Sequence, residues 1–249
     1  MGGQLAVLSD IHGNRWALEA VLEDVRSRGI QRMVNLGDCA YGPLDPRGTV
    51  EILITLRLPT VRGNEDRILA RGGGGDVENP SLDYTRASLS EQQRQWLHSL
   101  PVTRMLDDQI LLCHGTPDRD DVYLLRQVAA EGVRERSAEE VERLMAPHVA
   151  EVLLCGHDHL PGVLQTPAGR WVVDPGSVGL PAFADSCPHP HVMEAGTPHA
   201  RYGILEPDAE GWRAEVVTVR YDWEAAARQA ATNGRADWAR WLRSGRARA

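Results

Sequence analysis

Asp, Asn and His gather in five short segments, most of them beside glycine and each close behind an apolar run. Asp10-Ile11-His12-Gly13-Asn14 comes after Leu5-Ala6-Val7-Leu8, and Gly37-Asp38 follows Met33-Val34-Asn35-Leu36. Gly63-Asn64-Glu65-Asp66 follows Thr60-Val61-Arg62, His114-Gly115 follows the run from Ile110 to Cys113, and Gly156-His157-Asp158-His159 follows the run from Val152 to Cys155. Imidazole and carboxylate suit first-row transition metals such as Mn, Fe and Zn. Asp10, His12, Asp38, Asn64, His114, His157 and His159 are too many donors for one tetrahedral ion. They suit two ions roughly 3.5–4 Å apart, a spacing that one carboxylate can bridge. The neighbouring glycines permit sharp turns beneath such ions. Any one of these histidines alone reads as an ordinary surface or core residue; their order and shared placement give the set its meaning.

Donors placed after strands need a sheet to bring them together. Leu5–Leu8 is too short and too apolar for anything but a buried strand. Asn14 to Arg28 carries Trp16, Leu18, Val21, Leu22 and Val25 near helical spacing, and Gly29 stops it. A strand at Met33–Leu36, a helix over Thr49–Leu56 and a strand around Thr60–Arg62 complete a βαβαβ order, which predicts a parallel sheet covered by helices. Ligands bind outside the carboxyl ends of such strands. Further on, the pattern predicts a loop at Gly72–Gly75 and a helix near Ser90–Leu100 capped by Ser90. It predicts a hairpin of Val102–Leu106 with Ile110–Cys113, a helix at Ser137–Met145 and a buried strand at Val152–Cys155. Strands at Gly162–Thr166, Arg170–Val173, Arg201–Glu206 and Trp212–Val219 are expected next. A single domain over 1–249 follows, with 223–249 as a helical tail packed on it.

Composition removes several chemistries. All 27 of the Lys+Arg residues are arginine, so there is neither a Schiff-base lysine nor a P-loop lysine. The net charge of -8 argues against a stable nucleic-acid complex. Cys39, Cys113, Cys155 and Cys187 form no Cys-x-x-Cys and read as small buried hydrophobes. No apolar run reaches the ~20 residues that span a bilayer, and no signal-peptide pattern is visible, so no membrane partner and a cytoplasmic location are expected.

The ordered set Asp10-x-His12, Gly37-Asp38, Gly63-Asn64-x-Asp66, His114-Gly115 and Gly156-His157-x-His159 resembles the calcineurin-like metallophosphoesterase superfamily. Tyr41-Gly42-Pro43, Pro175-Gly176-Ser177-Val178-Gly179 and Arg220-Tyr221-Asp222 fit its small, YfcE-like bacterial and archaeal branch. The resemblance implies an α/β fold, a four-layer αββα sandwich with the metal site at the sheet edge. It implies that Asp10, His12 and His159 hold one ion, that Asp38 bridges, and that Asn64, His114 and His157 hold the other. Asp38, Asn64 and His114 are thereby also expected to act in catalysis. Two divalent transition-metal ions are implied, Mn foremost, with Fe, Zn or Ni as alternatives. The implied reaction is in-line attack of a metal-held hydroxide on a small phosphate ester.

Departures from the family narrow the substrate. Many relatives carry a His after Gly-Asn; here it is Glu65, a poor proton donor at neutral pH unless burial raises its pKa from roughly 4.3. Diesters and activated esters, including cyclic or dinucleoside phosphates, are therefore expected ahead of alkyl monoesters. A phosphomonoesterase or protein phosphatase is the alternative, and a non-catalytic scaffold a third reading that the full donor set disfavours. Asp158 and Asp174 either orient ligands or face solvent. The 182–199 segment is long and carries His189, His191 and His199, any of which could supply the missing acid, although a disordered or packing loop is the plainer reading. Arg119 and Tyr123 are candidate substrate contacts; the charge run Asp118–Asp121 has a solvated surface as its bland alternative.

Overall fold

Strand β1 (Leu5–Leu8) is apolar at every position and buried throughout, so it must be covered on both faces. Ala6 and Leu8 enter one core while Leu5 and Val7 enter another, as the two-residue period of a pleated strand requires. The structure, a computed structural model, describes residues 3–70, 79–146, 148–209 and 211–248. The loop expected at Gly72–Gly75 lies outside these residues.

In its sheet β1 runs parallel to β2 (Arg32–Asn35) and antiparallel to β12 (Ala200–Asp208), which in turn pairs with β13 (Gly211–Val219). The second sheet has β4 (Ile110–Leu112), β7 (Val152–Leu154) and β9 (Trp171–Pro175) parallel at its centre. Antiparallel β3 (Arg104–Leu106) and β8 (Pro161–Gln165) close its two edges. Between the sheets lie Leu5, Val7, Leu36, Ile110, Leu112, Val152 and Leu154.

Outside the first sheet, α1 (Arg15–Ser27), α2 (Pro46–Leu56), α5 (Glu91–Ser99), α7 (Trp223–Thr232) and α8 (Ala236–Ser244) fill the other core with Leu18, Val21, Leu53, Leu97, Trp238 and Leu242. Outside the second sheet, α6 (Ala138–Met145) packs Val141 and Met145 on Leu111 and Leu153. Helix, sheet, sheet, helix is the expected four-layer order. The expected Ser90 cap is present as a capping box; Ser137 forms another, and Asn14 accepts from Ala17 N at the start of α1.

Some expectations need correction. The third strand of the βαβαβ unit shrinks to one bridge between Asn35 and Thr60. Pro59 has no N–H to give a ladder, and α3 (Asn64–Ala70) begins four residues after Thr60. The donor segments therefore come from two sheets rather than one parallel sheet. The 182–199 segment contains a hairpin, β10 (Ala182–Asp185) with β11 (His191–Glu194), in place of a disordered loop. A hairpin of β5 (Arg126–Ala129) with β6 (Gly132–Glu135) and helix α4 (Pro80–Ser88) were not expected, although Asn79 as cap and Pro80 in the first turn mark the start of α4. Among the described residues, no helix is long and apolar enough to cross a membrane.

Candidate metal centre

The carboxyl ends of β1 and β2 face those of β4 and β7 across the inter-sheet core, and the expected donors meet there. Asp10, His12 and His159 bring ligand atoms within 4.8 Å of one another, and so do Asp38, His114 and His157. The backbone at these turns is left-handed, with φ of 54° at Asp10, 52° at His12, 51° at Asp38, 77° at His157 and 64° at His159. Asp, Asn and His tolerate that region better than most residues, yet each instance stores strain that packing must hold. Glycine provides the clearance. A Cβ on Gly63 would sit 2.1 Å from Asp38 Oδ1, and one on Gly156 would sit 2.0 Å from Ser9 Oγ.

Backbone carbonyls fix the rings. His12 Nδ1 lies 3.0 Å from Tyr41 O, His114 Nδ1 2.8 Å from Leu36 O, and His159 Nδ1 2.7 Å from Leu180 O. A carbonyl only accepts, so each Nδ1 carries a proton, and whenever the ring is neutral its Nε2 presents a lone pair to the centre. His12 Nε2 and His159 Nε2 are only 3.1 Å apart. Two lone pairs at that distance repel unless a cation lies between them.

The carboxylates point the same way. Asp10 Oδ2 is satisfied by Ser9 Oγ at 2.6 Å and His157 N at 3.1 Å. Its Oδ1 is buried and has no hydrogen-bond partner, with His159 Nε2 at 3.3 Å, His114 Nε2 at 3.9 Å and His12 Nε2 at 4.0 Å. Asp38 Oδ1 accepts from Glu65 N, while Oδ2 stands 3.3 Å from His114 Nε2 and 3.8 Å from His12 Nε2, within reach of both groups. Asn64 Oδ1 is 3.1 Å from His114 Nε2. An orphaned buried carboxylate oxygen among converging lone pairs fits divalent cations.

In the metal-free cluster the histidines differ. Burial disfavours charge on His12 and His157 and pushes both down to about 4. Burial opposes charge on His114 too, but the Asp38 carboxylate outweighs it and raises His114 to about 10. Half-buried Glu65 lines the cleft, and burial followed by repulsion from Asp38 and Asp66 raises its carboxyl well above the ordinary range.

The other sequence candidates divide. Tyr123 is 7% exposed, packs its ring 4.6 Å from the His157 ring at a tilt of 57° and bonds His191 Nε2 at 2.9 Å. His191 sits behind Tyr123, its Nδ1 donating to His189 O, and lines neither cleft beside the centre. The exposed ring of His189 also lines neither cleft, and the His199 ring packs on Trp223. The structure thus does not bring these three histidines to the centre, because the hairpin turns them to other partners. Exposed Arg119 lines the neighbouring cleft while paired with Asp121. Asp158 and Asp174 are buried and make no hydrogen bond to a candidate ligand. Asp158 takes both carboxylate bonds from Arg126 Nη1 at 2.9 Å, and Asp174 Oδ1 accepts from Gly176 N.

Sequence reasoning missed the walls. A cleft of about 280 Å³ opens over the centre, with Tyr41, Phe183, Trp238 and Trp241 along it. Trp238 lies 6.0 Å from the His12 ring, and Phe183 lies 4.5 Å from His159. The tryptophans showed only a packing pattern in sequence, and no spacing rule joins α8 to Asp10.

Comparison with known proteins agrees with this architecture. Residues 4–194 match the calcineurin-like phosphoesterase superfamily domain. A metallophosphoesterase from Sphaerobacter thermophilus is 27% identical, covering 94% of this chain and 95% of its own, at a TM-score of 0.72. A hypothetical protein from Pyrococcus horikoshii is 23% identical with 98% of both chains covered, at a TM-score of 0.77. An uncharacterized protein from Methanocaldococcus jannaschii is 26% identical over 94% of each chain. With its donors gathered at the junction of two sheets and its family pattern matched over most of its length, the chain belongs to the calcineurin-like phosphoesterase superfamily, hydrolytic enzymes that bind divalent metals.

Proposed function

We propose that the protein is a dinuclear metal-dependent phosphodiesterase. One observation carries this reading: carbonyl-anchored imidazoles aim their Nε2 atoms at the unpartnered Asp10 Oδ1 and at Asp38 Oδ2. Asp10, His12 and His159 would hold one ion, Asn64, His114 and His157 the other, and Asp38 both. Bound divalent ions supply Lewis acidity, acidify a water and neutralise phosphoryl charge.

The chain's own residues do the rest. Asn64 turns Oδ1 to His114 and so leaves its NH2 for a substrate oxygen. Tyr123, held by His191, covers His157 and keeps bulk water from that side. A cleft over the centre that continues into a second beside it has room for a phosphorus bearing two substituents, which favours diesters. Manganese is the ion we expect to activate best, with Fe, Zn and Ni next.

The test is one preparation assayed for bound metal and then given Mn2+ with bis-p-nitrophenyl phosphate, p-nitrophenyl phosphate and a nucleotide panel. Diesters should turn over fastest. Two bound ions with no hydrolysis of any ester would overturn the enzyme reading, and faster monoester hydrolysis would overturn the diester preference.

A further inference from the structure

Beside the metal centre lies a second cleft of about 500 Å³, which shares Asn64, Tyr123, His157 and Asp185 with the first. Three arginines line it, and they are not equivalent. Arg126 is spent: Nη1 donates to Asp158 and to Leu160 O, and Nη2 to Pro161 O. Arg119 is mostly exposed and shares its charge with Asp121. Arg136 is half-buried, its Nε is buried without an acceptor, and among the described residues no hydrogen bond or ion pair engages its guanidinium. Glu140 acts on Arg136 electrostatically, but that carboxylate is taken by Arg134 and Ser137 N. The Asp185 carboxylate in the same cleft is turned onto the amides of Ser186 and Cys187. A half-buried guanidinium whose nearby carboxylate is already taken lacks a counter-ion of its own, and a phosphate is its best-matched partner.

We propose that this cleft is a subsite for a second phosphate of the substrate, bound by Arg136 with Arg119 at its rim. It rests on the phosphodiesterase reading and adds the substrate class: a diester carrying another phosphate on one arm. The scissile phosphorus sits over the metals, and that arm passes Tyr123 and Asn64 to reach Arg136. In a chain without lysine, such a contact falls to arginine.

Two substrates with the same scissile bond test it: the p-nitrophenyl ester of thymidine 5′-phosphate, with and without a 3′-phosphate. The Mn2+-loaded enzyme should prefer the 3′-phosphorylated compound in kcat/KM by about tenfold or more, mainly through KM. Arg136→Ala should bring that ratio close to one and Arg136→Lys to a value between. Arg228→Ala, at an exposed residue of α7 that lines neither cleft, should keep it. Because the readout is a ratio within each variant, partial loss of folded protein does not mimic the result. Hydrolysis of both compounds at equal kcat/KM by the wild type, or an unchanged ratio in Arg136→Ala, would overturn the subsite. If neither compound is hydrolysed with two ions bound, the phosphodiesterase reading fails, and calorimetry judges the subsite separately. Thymidine 3′,5′-bisphosphate must then bind the wild type more tightly than thymidine 5′-phosphate, with the difference lost in Arg136→Ala; equal binding overturns it.

Discussion

His114 is the residue through which metal uptake would be coupled to protons. Its pKa rises to about 10 in the metal-free cluster because Asp38 outweighs burial. A raised value means the group is charged at neutral pH, stabilises the metal-free fold below its ordinary pKa, and loses that contribution as pH climbs through about 10. A ligand must be neutral, so metal binding near pH 8 should release roughly one proton per chain. Calorimetric titration in buffers of different ionisation enthalpy measures it; His114→Ala should abolish the release, and a heat independent of buffer in the wild type would contradict the assignment. Arg126 and Asp158 make a second residue-scale case, with side chains 10% and 1% exposed. Arg126→Met would leave a buried carboxylate alone at a cost of about 3–5 kcal/mol, and adding Asp158→Asn should recover most of it. Urea unfolding of the two variants decides. The seven candidate donors could be picked out because only a few residue types bind such metals. The carbonyls of Tyr41, Leu36 and Leu180 that set the tautomers were not, since every residue type carries one.

At the scale of elements, the turns after β1, β2 and β7 hold candidate ligands in left-handed backbone, and glycines elsewhere make room for them. Gly63→Ala places a methyl against Asp38 Oδ1 and must displace that carboxylate. The expected outcome is a fall in metal affinity of about 10–100-fold with little change in helix content, read by metal analysis after dialysis and by circular dichroism. Retention of both ions would show that Asp38 does not reach them. Helix α1 was legible from its apolar spacing and the Gly29 stop, α5 from its Ser90 cap and α6 from its charged run, signals that act within a few residues of chain. The β10–β11 hairpin was not. Ala182-Phe183-Ala184-Asp185 has little strand pattern of its own, and Phe183 is placed by a ring of the distant His159.

For the whole molecule, the centre joins two sheets. Asp10 and Asp38 follow strands of one sheet, and His114, His157 and His159 follow strands of the other. Bound ions should therefore clamp the sandwich as well as serve the chemistry. Thermal unfolding of chelator-treated protein should rise with added Mn2+, gaining about 2.7 kcal/mol at a concentration a hundredfold above Kd. His114→Ala should lose much of the gain. A midpoint that ignores metal in protein shown to bind it would mean that the unfolded chain holds the ions as well as the folded one, which would remove the clamp. The two-sheet arrangement was hidden from the strand order because Thr60, read as the third strand, makes only a bridge.

Helix α8 is the last of the described elements, yet Trp238 and Trp241 wall the cleft above His12 and His159. The final donor, His159, precedes β8, so the donors are complete long before the wall is. The same two tryptophans are also core, packed with Leu242 against the first sheet. Enclosure of the cleft is therefore tied to the packing of the chain's last helices, and a cut after β13 would keep every candidate donor while removing both the wall and the support beneath it.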